Sequence, residues 1–566
     1  VYVYAHSEDK KLLARVDEYI AIIGQAQEED GYLQTQIQLR PEADRYENRR
    51  YHEMYNTGHL LIAACVHYRI TGQRNFLDIA IRHADLLYTI FFPETRQYGR
   101  FGFNQTQIMG LVELYRVTTD KKYLHLAERF INRRGKYRVT HHPTTQGYPI
   151  GDMVQERVPL REATEAAGHA VLALYYYAGA ADVYAETGEQ ALIDALDRLW
   201  ESVTQRKMYL TGAVGQTHYG ASSNRDKIEE GFIDDYMMPN MTAYNETCAN
   251  ICNAMFSQKL LEIHAESKYA DIMELVLYNS ALSGIGIEGK DYFYANPLRM
   301  VHNSRDYGTH ENATESPERK PYLECFCCPP NLVRTIARIS EWAYSLSENG
   351  VAVNLFGSNK LNTHLRDGSE LALSQQTNYP WDGEITLTIE ACKSSPFEIL
   401  VRIPEWAEGA SLMVNGQAVE QKPEPGRYAR LEQVWKTGET ISLHLPMTPH
   451  LVAGHPRIEE VRNQVALKCG PIVYCIESPD LPQGTSILDI SISTDADLSP
   501  QYRPDFLGGV STIETDVMLR PQPQTSMYHK IPQIPFAKLK TQFVPYFAWA
   551  NRGRAEMTVF LPAIWK

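Results

Sequence analysis

The chain changes its hydrophobic period once, near Gly350, and that switch separates two kinds of architecture. From residue 12 to 345 apolar residues recur at helical spacing almost throughout. One arrangement repeats there, an amphipathic helix, a short Thr/Gly/Ser turn and a second helix opening on Tyr, Phe or Leu. It reads HYRITGQRNFLDIAIRHADLL, LYRVTTDKKYLHLAERFI, ADVYAETGEQALIDALDRLW and LEIHAESKYADIMELVLYN in its four occurrences. Turns this short join only antiparallel neighbours, and each hairpin leaves an apolar face that the next must cover, so a ring or solenoid of helix pairs is expected.

After Gly350 the runs VAVNLF, EITLTIEA, EILVRI, SLMVNGQAV, YARLE and ISLHLPM alternate or are β-branched between Gly, Pro and Asp clusters, the signature of short strands. Asn415-Gly416 predicts a hairpin turn, because both residues tolerate positive φ. The fold class is therefore mainly α with β. A helical domain is expected over 1–345 and a β-sandwich over 346–450. A second β-rich domain, or a continuation of the first, is expected over 451–566, where VALKCGPIVYCIES and AEMTVFLP flank a Pro-rich stretch near 480–545.

With 566 residues and 44% hydrophobic content the chain can bury several cores. A net charge of −14 and the lack of any long Lys/Arg run argue against a nucleic-acid partner. No apolar stretch approaches the roughly 20 residues a membrane helix needs. The acidic, patch-free composition suits a monomer or a homodimer. The opening VYVYAHSEDKK has neither a basic n-region nor an apolar h-region, which leaves the compartment open between periplasm and cytoplasm.

Cysteine is uncommon, nine residues in all, yet three of them fall in Cys325-Phe326-Cys327-Cys328, and Glu246-Thr247-Cys248 forms a second cluster upstream. Inert packing and a disulfide are the alternatives to a metal site, and the spacing matches no zinc-finger pattern. Cys-Pro-Pro-Asn reads as a rigid turn, since two prolines fix φ and remove donors. Metal binding is the preferred reading, with Glu246, Cys248, Cys327 and Cys328 as a set of four for a zinc ion, whose charge holds thiols deprotonated. Cys65, Cys252, Cys392, Cys469 and Cys475 sit mostly in apolar patterns and are expected as reduced, packed thiols.

The segment KIEEGFIDDYMMPNMTAYNETCAN carries Glu229, Glu230, Asp234 and Asp235 before a helix expected to start near Thr247. Taken singly these carboxylates read as a solvated loop. His52 and Glu53 in YHEMYNTGHLL and His169 in AAGHAVLALYYYAGAADVY stand at helix starts, where His more often caps or packs, although imidazoles converging on one centre suit hydroxyl recognition. Tyr294 and Asn296 in DYFYANPLRM read as an extended segment entering the same centre. Arg49 and Arg50 beside His52 are read first as surface residues and second as binders of a carboxylated sugar.

These segments, in this order, resemble glycoside hydrolase family 127, the β-L-arabinofuranosidase family. YHEMYNTGHLL is similar to the family's His-Glu-Leu-Tyr segment, GHAVLALYYYAGAADV to its Gly-His-Ala-Val segment, EEGFIDDYMMPN with YNETCA to its acid loop and Glu-x-Cys block, and CFCCPPN to its cysteine signature. The resemblance implies an (α/α)6 barrel followed by C-terminal β-sandwich domains, and zinc on Glu246, Cys248, Cys327 and Cys328. It implies Cys327 as nucleophile and Glu230 as general acid/base of a retaining exo-glycosidase acting on plant-glycan oligosaccharides, with His52, His169, Glu274 and Tyr294 lining the sugar pocket. Where the family usually has Gly-His, this chain reads GRFGFNQTQIMGLVELY, with Asn104 at the aligned position. Asn bonds a hydroxyl but cannot be cationic, which leaves open whether the sugar is β-L-arabinofuranose or a related, even carboxylated, pectic branch sugar. The resemblance also leads one to expect the first part of the family's barrel to be shortened or missing before Val1.

Retaining hydrolysis needs a nucleophile and an acid/base about 5 Å apart, and the resemblance implies that a thiolate would replace one of the usual carboxylates here. Two other classes fit the same residues: a polysaccharide lyase of α-toroid type, which releases an unsaturated sugar, and a glycan-binding protein whose zinc is structural.

Overall fold

The computed structural model describes residues 1–40, 42–93, 102–136, 151–301, 316–520, 526–528, 530 and 536–565, so part of the Pro-rich stretch lies outside the described residues. The chain divides into two compact units, one formed by Val1–Met208 with Val214–Asp235, the other by Tyr209–Ala213 with Tyr236–Lys566.

In the first unit the expected helical hairpins are present. Helices Glu53–Thr71 and Asn75–Phe91 are joined at Gly72, and Ala170–Thr187 and Gln190–Arg206 at Gly188. Both glycines are left-handed, with φ of 71° and 68°, the conformation that ends a helix at least steric cost without a Cβ. Helices Thr106–Thr118 and Lys121–Arg133 use Thr119 at the same point, and the Asp120 carboxylate caps the second helix by accepting from the Lys122 N–H. Lys121–Arg133 and Gln190–Arg206 bury one face, whereas Ala170–Thr187 is buried continuously from Ala170 to Val183, so its surroundings are protein on every side. Helices Glu53–Thr71 and Thr106–Thr118 approach through Gly58 and Gly110. A Cβ on Gly58 would stand 2.3 Å from the Thr106 carbonyl carbon.

One part of the expected helical stretch is not helical. Thr217–Ala221 and Lys227–Phe232 form an antiparallel hairpin, and Gly168–His169 joins its edge. What reads in the sequence as an acidic loop is thereby a strand, with Ile228 and Phe232 buried.

In the second unit helices Thr247–His264 and Ser267–Val276 make the fourth hairpin around Ala265, with Thr247 to Gln258 buried. Beyond Tyr344 the chain is β. A four-stranded sheet and a six-stranded sheet share a core in which Val351, Ile399 and Val401 of one meet Leu371, Leu373, Ile385, Leu387, Ile441 and Leu443 of the other, with Trp435. This is a sandwich of two half-buried sheets. Asn415 and Gly416 both have positive φ and turn Ser411–Val414 into Gln417–Ala418, as the Asn-Gly pair predicts. The remaining strands form a ten-stranded sheet whose end recruits an earlier segment, Arg299–Met300 pairing with Met557–Thr558.

Candidate functional site

In the second unit two helix starts bring the cysteine clusters together. Glu246 precedes helix Thr247–His264, Cys248 lies in its first turn, and Cys327 precedes helix Cys328–Ala337. Cys-Pro-Pro-Asn, expected as a turn, opens that helix instead, because the first-turn N–H groups that proline lacks have no intrahelical partner to lose. The turn before Thr247 is pinned from the neighbouring segment. Thr247 N–H donates to the Tyr294 carbonyl at 2.9 Å and its hydroxyl to that of Phe293 at 2.9 Å. The Asn296 amide donates to the Asn245 carbonyl at 2.9 Å, so Asn296 clamps the turn.

One donor atom from each of Glu246, Cys248, Cys327 and Cys328 lies within 4.8 Å of all the others. Four donors around one zinc ion, with sulfur at about 2.3 Å and oxygen at about 2.1 Å in a tetrahedron, stand about 3.8 Å apart sulfur to sulfur and about 3.6 Å sulfur to oxygen. Here the Cys327 and Cys328 sulfurs are 3.8 Å apart, and each is 3.6 Å from Glu246 Oε1. The donor set thus fits the ion in number and chemistry, and the three edges among Glu246, Cys327 and Cys328 have the length the ion requires. Accepting from the Cys327 and Cys328 thiols draws the Cys248 pKa below that of an ordinary thiol, while burial pushes that of Cys328 well up. Without a cation, these sulfurs cannot all ionise together.

The Tyr294 hydroxyl stands 3.3 Å from Cys327 Sγ and 3.7 Å from Cys325 Sγ, so its one proton has two sulfurs within reach. Cys325 is exposed, with its sulfur 3.8 Å from that of Cys327. Cys65, Cys248, Cys252, Cys328, Cys469 and Cys475 are buried, and all nine cysteines are free thiols.

Glu274 has other partners. It is 2% exposed, accepts from the Tyr379 hydroxyl at 2.7 Å and is ion-paired with Arg402, which also holds Asp271. Both carboxylate oxygens are engaged with the β-sandwich, so the pocket-lining role expected for Glu274 gives way to a buried ion pair.

In the first unit His169 and Glu230 meet across the hairpin edge, because His169 is in register with Gly231. His169 Nε2 is 3.1 Å from Glu230 Oε2, and His218 Nε2 is 3.8 Å from Oε1. Glu230 has φ of 52°, a conformation that costs energy for a residue with a Cβ and is concentrated at functional sites. The Phe103 ring lies between two imidazoles, 5.5 Å from His52 and 6.1 Å from His169. Asn104 follows it, 5% exposed, and its Oδ1 meets no hydrogen-bond donor among the described residues. His169 Nδ1 is likewise buried without a partner among the described residues.

The flanking charges are structural. Arg49 is buried and ion-paired with Glu156, neither a surface residue nor a carboxylate receptor. Glu229 pairs with Lys227 at 2.8 Å, Asp235 with Arg206 at 2.9 Å, and Glu53 accepts from the Tyr32 hydroxyl. Sequence reading missed His218 and Phe103. His218 carries a signal in retrospect, lying on the strand that pairs with the acidic segment, whereas Phe103 carries none.

Comparison with known proteins follows the same order along the chain. Three family models match in succession: the glycoside hydrolase family 127 catalytic domain, described as β-L-arabinofuranosidase, over residues 1–341, the family's middle domain over 350–447 and its C-terminal domain over 449–562. The non-reducing end β-L-arabinofuranosidase of Bifidobacterium longum subsp. longum is 32% identical over 584 residues, spanning 99% of this chain and 86% of that protein. A solved glycoside hydrolase superposes with a TM-score of 0.89 at 37% identity, over 99% of this chain and 90% of the other. A family 127 β-L-arabinofuranosidase from Geobacillus stearothermophilus T6 does so with a TM-score of 0.89 at 35% identity, over 100% and 88%. The chain belongs to glycoside hydrolase family 127 and is a glycosidase.

Proposed function

We propose that the protein is a retaining, exo-acting β-L-arabinofuranosidase that removes terminal β-L-arabinofuranose from plant-glycan oligosaccharides, with Cys327 as nucleophile and Glu230 as general acid/base. The observation that carries this reading is the four-donor cluster, whose edges among Glu246, Cys327 and Cys328 match a zinc ion and whose one half-buried member, Cys327, faces the Tyr294 hydroxyl. A zinc ion bound by Glu246, Cys248, Cys327 and Cys328 supplies the positive charge that keeps thiols ionised near neutral pH.

The residues then divide the work. Glu230 gives its proton to the departing glycosidic oxygen as Cys327 Sγ attacks the anomeric carbon, forming a thioglycoside. Glu230 next takes a proton from water, whose oxygen attacks the same carbon and releases Cys327 as thiolate. His169, 3.1 Å from Glu230, holds that carboxyl in place. Tyr294 donates to the sulfur, and His52, Asn104 and His169 take sugar hydroxyls. Asn104 Oδ1 and His169 Nδ1, without partners among the described residues, support this, since a buried polar atom without a bond costs about 1–3 kcal/mol unless a ligand satisfies it. A neutral sugar is preferred to a carboxylated one, because Arg49 is committed to Glu156. The fold reading that accompanies this function is an (α/α)6 barrel over 1–345 and two β-sandwich domains over 346–450 and 451–566, supported by hairpins that pair a helix buried all round with an amphipathic one.

The test is release of p-nitrophenol from p-nitrophenyl β-L-arabinofuranoside with metal analysis of the same sample. Turnover together with about one zinc per chain is expected, and none by the Cys327→Ser variant. A metal-free protein that is fully active would overturn the reading, as would turnover by Cys327→Ser.

A further inference from the structure

The cysteine signature carries an aromatic surface that no step above uses. Phe326, between Cys325 and Cys327, is 41% exposed, and Tyr322 is 70% exposed. Their rings are stacked, with centroids 5.1 Å apart and planes 15° from parallel, and the Tyr292 ring meets Phe326 edge-on at 6.3 Å. Stacked on each other, the two rings make one contiguous exposed apolar patch rather than scattered single residues, and a contiguous patch is what marks a binding surface.

Its position relative to the nucleophile is set by the chain. Tyr292 and Tyr294 are two residues apart, and Phe293 between them faces the other way, stacked on Trp549 at 4.8 Å. Tyr294 reaches Cys327, and Tyr292 reaches Phe326. Residues two apart on the same side of an extended segment are separated by roughly 7 Å, about the step from one sugar ring to the next. The segment that reaches Cys327 through Tyr294 therefore reaches the stacked pair through Tyr292, about one sugar ring further along. Sugars stack the apolar C–H face of their ring on such surfaces, and open stacking tolerates variation in the hydroxyls.

Resting on the reading of Cys327 as nucleophile, we propose that Tyr322 and Phe326 form a leaving-group subsite that stacks the sugar next to the one being released. The enzyme then selects a glycan leaving group over a small alcohol.

The experiment compares kcat/KM for an arabinofuranosyl disaccharide with that for methyl β-L-arabinofuranoside, whose leaving group has no ring. In wild type the ratio favours the disaccharide. Tyr322→Ala is expected to lower that ratio about tenfold, the size of one stacking contact, and Tyr322→Phe to keep it. A ratio unchanged in Tyr322→Ala overturns the subsite, whether both rates hold or fall together, and so does an equal loss in Tyr322→Phe. A change of oligomeric state in Tyr322→Ala with the ratio intact overturns it in favour of contact with a second copy. A wild-type protein silent on both substrates overturns the underlying reading of Cys327, and the subsite with it.

Discussion

The Tyr294 hydroxyl lies 3.3 Å from the sulfur of Cys327, in a side chain that is itself 4% exposed. Burial, and after it the Glu246 carboxylate, pushes the phenol well above the usual tyrosine range, so it stays a neutral donor. In the proposed mechanism it points a proton at a sulfur that changes charge twice in one turnover. Hydrogen bonds to charged groups contribute about 1.5–3 kcal/mol, so Tyr294→Phe is expected to lower kcat on an aryl furanoside about 10- to 100-fold. Zinc content and KM should hold, because the variant keeps every ligand. Loss of zinc in Tyr294→Phe would reassign the hydroxyl to metal-site integrity.

Asn104 offers the opposite signature. Its Oδ1 is buried without a donor among the described residues, and removing an unsatisfied polar atom does not break a protein contact. Asn104→Leu is therefore expected to leave the melting temperature unchanged or raised, while kcat/KM falls about tenfold through one lost sugar hydrogen bond. Activity and thermal unfolding measured side by side check it. A lower melting temperature with normal activity would mean that Asn104 is a packing residue.

These residues also mark how far the sequence alone could be read. Hairpins were legible because their signals are local: a 3.6-residue period with Gly72 and Gly188 at the turns, and Asn415-Gly416 between two strands. The clustering of Glu246, Cys248, Cys327 and Cys328 was legible because cysteine is rare and carries little besides its chemistry. Glu274 was misplaced because its partner, Arg402, lies 128 positions further on, in the β-sandwich. Arg49 was misread for the same reason, its partner Glu156 being 107 positions away. The hairpin of Lys227–Phe232 was hidden by its acidic side chains, although Ile228 and Phe232 are buried on it.

The Arg402–Glu274 pair gives a stability prediction. Arg402 is fully buried and bonds Asn354 O, Asp271 and Glu274 together. Burial pushes the Asp271 carboxyl up to about 6 even beside this guanidinium. Removing one side of a buried ion pair strands the other, at a cost of about 3–5 kcal/mol. Arg402→Met should lower the melting temperature sharply. Adding Asp271→Asn and Glu274→Gln to it should recover most of the loss, because no buried charge then stands alone. A triple variant no more stable than Arg402→Met would show that the geometry of the network, and not its charge balance, holds the β-sandwich to the helix Ser267–Val276.

His83 links stability to pH. It is 1% exposed, its Nε2 lies 2.8 Å from the Thr57 hydroxyl, and its Nδ1 lies 3.1 Å from the Gly31 carbonyl. Nδ1 donates to that carbonyl, so Nε2 accepts from Thr57, which describes a neutral ring. Burial lowers its pKa to about 4, against an ordinary value of 6.5. The unfolded chain therefore binds a proton between pH 6.5 and 4 that the folded chain refuses. The contribution is complete above pH 6.5 and is lost as the pH falls through that window, amounting to about 3 kcal/mol. His83→Gln keeps a donor and an acceptor and removes the titration, so its own penalty is constant. In denaturant unfolding at pH 7 and pH 4, the stability gap between wild type and His83→Gln should shrink by about 3 kcal/mol at the lower pH. A gap of the same size at both values would show that the ring is charged in the folded protein, with Thr57 Oγ1 and Gly31 O both accepting.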